Sequence, residues 1–307
     1  MTKDAVLGLD VGGSSVKYRL ASVTRSDRMP DALDEGRAPT PAEDPVAGLA
    51  ELARRVTAGV RLDAVAVAIP GIVDAERGTV VRSANLPALN GLELGPRLSD
   101  MIGVPVSVLN DGRAAAVAEA RWGAGAGIRD VFTLALGTGI AGAHVVDGVV
   151  VDGAHGSAGE LGHVVIEPNG AWCTCGQRGC LETVIGAPAL RRAWSSAGGE
   201  GAPSAMFAAY EACDARAVEI VNRAADALAD AILTLLALVD PGVIVIGGGL
   251  ATSPHRLVTL TAASVAERAT FHRVVPIVPA RLGRWAGAVG AVAQAQTLAA
   301  RTEEAVA

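Results

Sequence analysis

Short apolar runs alternate with glycine-rich turns along this chain, and the spacing inside each run predicts its element. Residues 5–10 (Ala-Val-Leu-Gly-Leu-Asp) form a short apolar strand, and residues 16–21 alternate well enough to be its hairpin partner. Residues 25–45 are polar and proline-rich, which predicts an edge strand plus loop, and 46–60 then shows helical spacing. A buried-type strand over 63–69 is stopped by Pro70-Gly71, a short strand follows over 79–82, and 83–87 is a loop that offers Asn85 amid apolar neighbours. Residues 106–109 predict a strand running directly into Asn110-Asp111-Gly112, with an alanine-rich helix over 113–122 stopped by Gly123.

A second half begins at the apolar strand 131–136, followed by a glycine-rich turn and β segments over 143–146 and 149–151. Gly137, Gly139 and Gly142 match the dinucleotide pattern G-x-G-x-x-G. That pattern needs a helix next, whereas this chain continues as Ala-His-Val-Val-Asp-Gly-Val-Val-Val, so the dinucleotide reading is rejected. The start of the chain makes the better comparison: both places show an apolar strand, a glycine turn carrying a hydroxyl residue, and a return strand. This predicts an internal duplication of one supersecondary unit. Helices are expected over 182–194, 203–210 and, as one long apolar-periodic element, 214–239; strands over 243–246 and 274–278 and a closing helix over 285–300 complete the chain.

Composition narrows the class. At 307 residues the chain has room for two domains, here expected as a small α/β lobe over 1–112, onto which the closing helix packs back, and a larger α/β lobe over 113–307. Acidic residues outnumber basic ones by 32 to 26 with no Lys/Arg cluster, which argues against nucleic-acid binding. The longest apolar run, near 231–239, is too short to span a bilayer, and the amino terminus lacks a signal-peptide pattern, so no membrane is expected and the cytoplasm is the default location.

The most specific stretch is Gly159 to Glu182. Cys173, Cys175 and Cys180 sit within eight positions of a glycine-rich loop, ten residues after His163. Three thiolates and one imidazole close a tetrahedral site, which is the pattern of structural zinc. Buried free thiols, or a disulfide with one cysteine left over, are the alternative. Cys213 reads as an ordinary buried thiol.

The other candidates are weaker singly. Gly12, Gly13 and Ser14 leave backbone N–H groups open toward an anion, with Asp10 before the turn and Lys17 after it; an ordinary β-turn is the equal alternative. Asn110 or Asp111 can cap the following helix, yet strand ends in open α/β sheets are where ligands bind. Gly247, Gly248 and Gly249 allow a flat ring such as adenine to lie on bare backbone, or make a loose strand-to-helix turn.

As an ordered set, Asp10-Val-Gly-Gly-Ser, Asn110-Asp111, Leu136-Gly-Thr-Gly-Ile-Ala-Gly, Glu160-Leu-Gly-His163, Cys173-x-Cys175-Gly-x-x-Gly-Cys180-x-Glu182 and Gly247-Gly-Gly-Leu resemble the ROK family of sugar kinases, in particular its bacterial glucokinase-like members. The resemblance covers essentially the whole chain. It implies the actin-like ATPase (ribonuclease H-like) duplicated α/β fold, two lobes around a cleft, and ATP-dependent phosphorylation of a hexose, glucose first, with N-acetylmannosamine or fructose as other acceptors. It implies Asp111 as catalytic base, Asn85, Asn110, Glu160, His163 and Glu182 as sugar contacts, and Gly137-Thr138-Gly139 as a phosphate loop. Mg²⁺ would travel with the nucleotide, with Asp10 its indirect partner, through a bound water or another ligand of the ion. Structural Zn²⁺ would be held by His163, Cys173, Cys175 and Cys180. Ser14 stands where many relatives carry Thr, which keeps the hydroxyl. The chain starts at its first strand, so the helix-turn-helix of the family's repressors is not expected. A homodimer or homotetramer is implied, and polyphosphate is an alternative donor in some relatives. A non-catalytic sugar-responsive regulator is the competing reading from another class, and a zinc-dependent nucleic-acid module is disfavoured by the acidic balance.

Overall fold

The computed structural model describes residues 4–24, 26–83, 85–251 and 256–306, with side chains in the last helix as far as residue 302; Ala84, inside the expected 83–87 loop, lies outside the described residues. The elements in order are β1 Asp4–Val11, β2 Ser15–Ser22, β3 Ala32–Pro39, α1 Pro45–Val56, β4 Arg61–Ile69, β5 Ile72–Asp74, β6 Thr79–Arg82, α2 Leu94–Ile102, β7 Val106–Asn110, α3 Asp111–Trp122, β8 Asp130–Leu136, β9 Ile140–Val146, β10 Val149–Val150, α4 Leu181–Ile185, α5 Ala187–Ser196, α6 Pro203–Glu211, α7 Ala215–Leu238, β11 Val243–Gly247, α8 Arg256–Arg268, β12 Ile277–Pro279 and α9 Ala286–Val306.

Two units divide the chain: Met1–Trp122 with Arg284–Ala307, and Gly123–Gly283. The first unit extends past position 112, through α3, because α3 packs with α9 over alanines of its sheet: Ala114, Ala291 and Ala295 share one cluster with Ala64, Ala66 and Ala68.

The first unit has a five-stranded sheet in the order β3-β2-β1-β4-β7, and the second a five-stranded sheet in the order β10-β9-β8-β11-β12. In each, the first strand of the unit pairs antiparallel with the next and parallel with a later strand on its other side. The expected duplication is thus visible in topology and not only in the glycine turns.

Period-two alternation sorts the two faces of the first sheet. Leu7, Leu9, Val11, Val65, Val67 and Ile69 face a large-residue core with Leu49, Leu94 and Leu98. The opposite face carries Val6 and the alanines, small enough to let helices lie close to the sheet. At Gly8 an added Cβ would come within 2.5 Å of the Ala288 carbonyl oxygen, so α9 crosses β1 at bare backbone. Asp10 is two residues further along that same face.

In the second unit α7 is capped by Asp214, which accepts from the Arg216 amide at 2.9 Å. It buries Val221, Ala225, Leu228, Ile232 and Leu235 at helical spacing against Leu134, Leu136, Ile244 and Ile246. The helix expected over 182–194 is broken into α4 and α5. Gly186 is extended at the break (φ −59°, ψ 150°), and Pro188 restricts the residue before it. The Ala187 amide leaves the helical ladder and donates to the Gly137 carbonyl at 2.9 Å. The α2 and α8 helices were not anticipated by the reading of periodicity.

Candidate functional site

In the first unit the Gly12–Ser14 turn is tight: the Gly12 amide donates to the Ser15 carbonyl at 2.9 Å, and the Thr40 hydroxyl donates to the Gly12 carbonyl at 2.6 Å. Asp10 and Lys17 face each other across the β1–β2 hairpin, with Nζ 2.5 Å from Oδ2. A Cβ on Gly287 would lie 2.7 Å from the Asp10 carboxyl carbon, so the first turn of α9 abuts this carboxylate. Negative charge there is favoured by the positive end of the helix. Asn85 is exposed and its carbonyl oxygen would stand 3.4 Å from a Cβ on Gly13, so its loop lies against the turn.

Asn110 and Asp111 occupy the β7–α3 junction and divide the work. Asn110 caps the helix, its Oδ1 accepting from the Arg113 amide at 3.0 Å, while its Nδ2 donates to the Gly71 carbonyl at 2.9 Å. Asp111 Oδ1 accepts from the Gly112 amide at 2.8 Å. Burial pushes the Asp111 carboxyl above the ordinary carboxylate range, and the charge of Asp10 pushes the same way, against the Gly112 amide and Lys17. A carboxylate so tuned is a stronger base than a solvated one.

In the second unit the Gly137–Gly139 turn closes through the Gly137 amide and the Gly139 carbonyl at 2.9 Å. The strand resumes at Ile140, three residues earlier than the expected 143, because Ile140 pairs with Leu136 across the hairpin. Gly248, at φ +88°, lies so close to β8 that a Cβ would meet the Leu136 carbonyl oxygen at 2.3 Å; Gly249 would meet nothing within 4 Å. The two glycine turns are therefore neighbours at one end of the second sheet.

Downstream, Glu160 is exposed and its carbonyl receives the His163 amide at 3.0 Å. His163 Nδ1 is 3.6 Å from Cys173 Sγ, Cys175 Sγ is 3.6 Å from Cys180 Sγ, and all four donor atoms lie within 4.8 Å of one another. All four cysteines of the chain are free, so the disulfide alternative is excluded in this structure. Around a tetrahedral ion with ~2.3 Å bonds, sulfurs stand about 3.7 Å apart, so the donor set fits a closed Zn²⁺ site. Burial and the neighbouring sulfurs push the Cys180 thiol up to about 12, whereas the Gln177 amide holds Cys175 below its usual value. The loop needs its glycines: at Gly179 (φ +73°) a Cβ would sit 1.5 Å from the Glu167 carbonyl oxygen. Cys213 is exposed rather than buried, at positive φ (59°) just before the Asp214 cap of α7.

Glu182, expected as a sugar contact, has one oxygen on the backbone of the glycine turn: Oε2 accepts from the Ile140 amide at 3.0 Å. Neither that bond nor the part of Gly162, whose Cβ would meet the Ile140 carbonyl oxygen at 2.5 Å, was foreseen. Glycine spacing alone carries no signal for either.

A sequence model described as "ROK family" matches residues 6–298. A glucokinase of Thermotoga maritima is 34% identical over 269 residues, covering 81% of this chain and 83% of that one. A kanosamine kinase of Amycolatopsis mediterranei is also 34% identical, over 299 residues, covering 96% and 97%. The crystal structure of a ROK family glucokinase from Streptomyces griseus in complex with glucose and AMPPNP superposes with a TM-score of 0.78 at 27% identity, covering 95% of this chain and 99% of that one.

Proposed function

The chain belongs to the ROK family, and from that premise we propose that it is an ATP-dependent hexose kinase whose acceptor is glucose, yielding glucose 6-phosphate and ADP. The observation that carries the reading is Asp111: a carboxylate at a strand end, raised by burial, in the same unit as a glycine turn flanked by Asp10 and Lys17. A sugar hydroxyl is a poor nucleophile. Asp111 accepts its proton and fixes its direction of attack on the γ-phosphorus, after which the bond to the β-phosphate oxygen breaks and ADP leaves.

By the family resemblance, Gly12, Gly13 and Ser14 would supply backbone and hydroxyl donors for phosphate, as would Gly137, Thr138 and Gly139, and Gly247–Gly249 a flat surface for the adenine. Asp10, a hard oxygen donor, would hold the Mg²⁺ of the nucleotide through water, and that ion would supply charge stabilisation to the transferring group when bound. Asn85, Asn110, Glu160, His163 and Glu182 select the hexose. His163 would bind Zn²⁺ through Nδ1 and keep Nε2 for a sugar hydroxyl. Held in that way, the His163 ring would be fixed in orientation toward the sugar, and the ion would supply no chemistry to phosphoryl transfer. Among the described residues no helix is long and apolar enough to cross a membrane. The kinase reading itself, with its need for ATP, assigns the chain to the cytoplasm.

Two experiments test this. Purified protein is expected to carry about one zinc per chain, and Cys175→Ser to lose it; zinc-free protein with unchanged activity in that variant contradicts the assigned ion. A coupled assay of ADP formation over glucose, kanosamine, N-acetylmannosamine and fructose is expected to give the highest kcat/KM for glucose. A higher value for another hexose overturns the acceptor and leaves the kinase; no turnover with any hexose overturns both.

A further inference from the structure

The α4 helix joins two sites that the sequence presented as separate. Its N-cap is Cys180, one of the four metal donors, and Glu182 lies two residues later. From there the Glu182 carboxylate crosses to the other glycine-rich segment and accepts from the Ile140 amide at 3.0 Å. A Cβ on Gly139 would lie 2.8 Å from Glu182 Oε2, so a side chain there would have to displace the carboxylate. At the far end of α4, the Ala187 amide donates to the Gly137 carbonyl at 2.9 Å, and Gly186 packs where a Cβ would come within 3.1 Å of the Thr138 carbonyl oxygen. On the other flank of the metal cluster, Gly162, next to His163, lies directly against the Ile140 carbonyl. The segment from Gly137 to Ile140 is thus bonded at both ends, to Ala187 and to Glu182, and lies close against Gly186 and Gly162.

We propose that Glu182 is a positioning residue for the Gly137–Gly139 turn, and that α4 is a strut through which the metal cluster sets the geometry of that turn. The proposal rests on the kinase reading for the identity of the turn's ligand, a nucleotide phosphate. A turn that binds an anion through its amides works only if those amides are held in place before the ligand arrives. Glycine-rich backbone has little stiffness of its own. The carboxylate bond to Ile140 supplies it, and a charge-assisted bond of this kind is stronger than one between neutral groups. Glu182 therefore affects nucleotide binding in the absence of any sugar, which a sugar contact does not.

The test is titration of MgADP into sugar-free protein, followed calorimetrically. Glu182→Ala is expected to weaken MgADP binding about tenfold, the loss of one hydrogen bond to a charged group. Glu182→Gln, which keeps an oxygen for the Ile140 amide, is expected to restore most of that loss. Gly139→Ala is expected to weaken binding in the wild-type background but to add little in the Glu182→Ala background, where the obstructing oxygen is gone. Removing the metal from wild-type protein with a chelator shifts MgADP affinity in the same direction. Unchanged MgADP affinity in folded Glu182→Ala protein, or additive losses in the double variant, overturns the proposal. Wild-type protein that binds MgADP with this pattern and phosphorylates no hexose leaves the strut standing and sinks the kinase reading; wild-type protein that binds no MgADP overturns both.

Discussion

Asp111→Asn is expected to lower turnover about a thousandfold, within the range for loss of a positioned general base, while glucose still binds. Asparagine keeps an oxygen for the Gly112 amide, so the β7–α3 junction survives the change. The same substitution is expected to raise thermal stability at neutral pH. Burial and the nearby Asp10 lift the Asp111 carboxyl above its ordinary value, so the folded chain holds this proton more tightly than the unfolded chain does. Below the ordinary carboxylate range both states are protonated and nothing is lost. As the pH rises through the window between the ordinary and the lifted value, the unfolded chain releases its proton first and stability falls. Above that window the penalty is complete, and the neutral amide removes it. In the wild type the acid limb of the kcat/KM profile lies above the ordinary carboxylate value, since the base must be ionised to act. A variant that keeps near-wild-type turnover, or that melts well below the wild type, contradicts this assignment.

Gly290→Ala is expected to be the most damaging single methyl in the first unit. A Cβ at Gly290 would lie 1.8 Å from the Ala114 carbonyl oxygen and 2.3 Å from its carbon, which are backbone atoms of α3 with no rotamer to yield. The helices must part, at a cost of about 3 kcal/mol, and the melting temperature drops by roughly 8 °C. The displacement also reaches the chemistry. Gly287, one turn earlier on α9, abuts Asp10, and Asp111 opens α3. Turnover in the fraction that remains folded therefore falls as well. Differential scanning calorimetry with a parallel rate measurement checks both; an unchanged melting temperature contradicts the close contact.

The parts legible in the sequence are those written in local spacing. The two hairpins, the long α7 and the cysteine loop follow from period-two alternation, helical periodicity and ligand spacing, and the repeated strand–glycine–strand unit correctly foretold a duplicated sheet. What stayed hidden depends on contacts between distant residues. The break at Gly186 is masked because 182–194 keeps apolar spacing across it; Gly186 and Pro188 are the local signs of it, and the bond from Ala187 to the distant Gly137 carbonyl is the part spacing does not carry. Glu182 looked like a free acceptor, and its partner at Ile140 is 42 positions away. Asn110 reads in the sequence as a cap or a ligand; its bond to the Arg113 amide is local, but the one to the Gly71 carbonyl, 39 positions away, carries no local signal. The closeness of α9 to β1 was likewise invisible, since Gly8 in a strand and Gly290 in a helix look like weaknesses until their neighbours are known.

The central claim, that this chain transfers the γ-phosphoryl group of ATP to a hexose, is tested most directly by ³¹P NMR of the wild-type protein with ATP, Mg²⁺ and glucose. The account predicts that the γ-phosphate resonance is replaced one for one by a sugar phosphomonoester, with ADP appearing in equal amount. Folded protein that leaves ATP intact, or releases only inorganic phosphate whichever hexose is added, would contradict it.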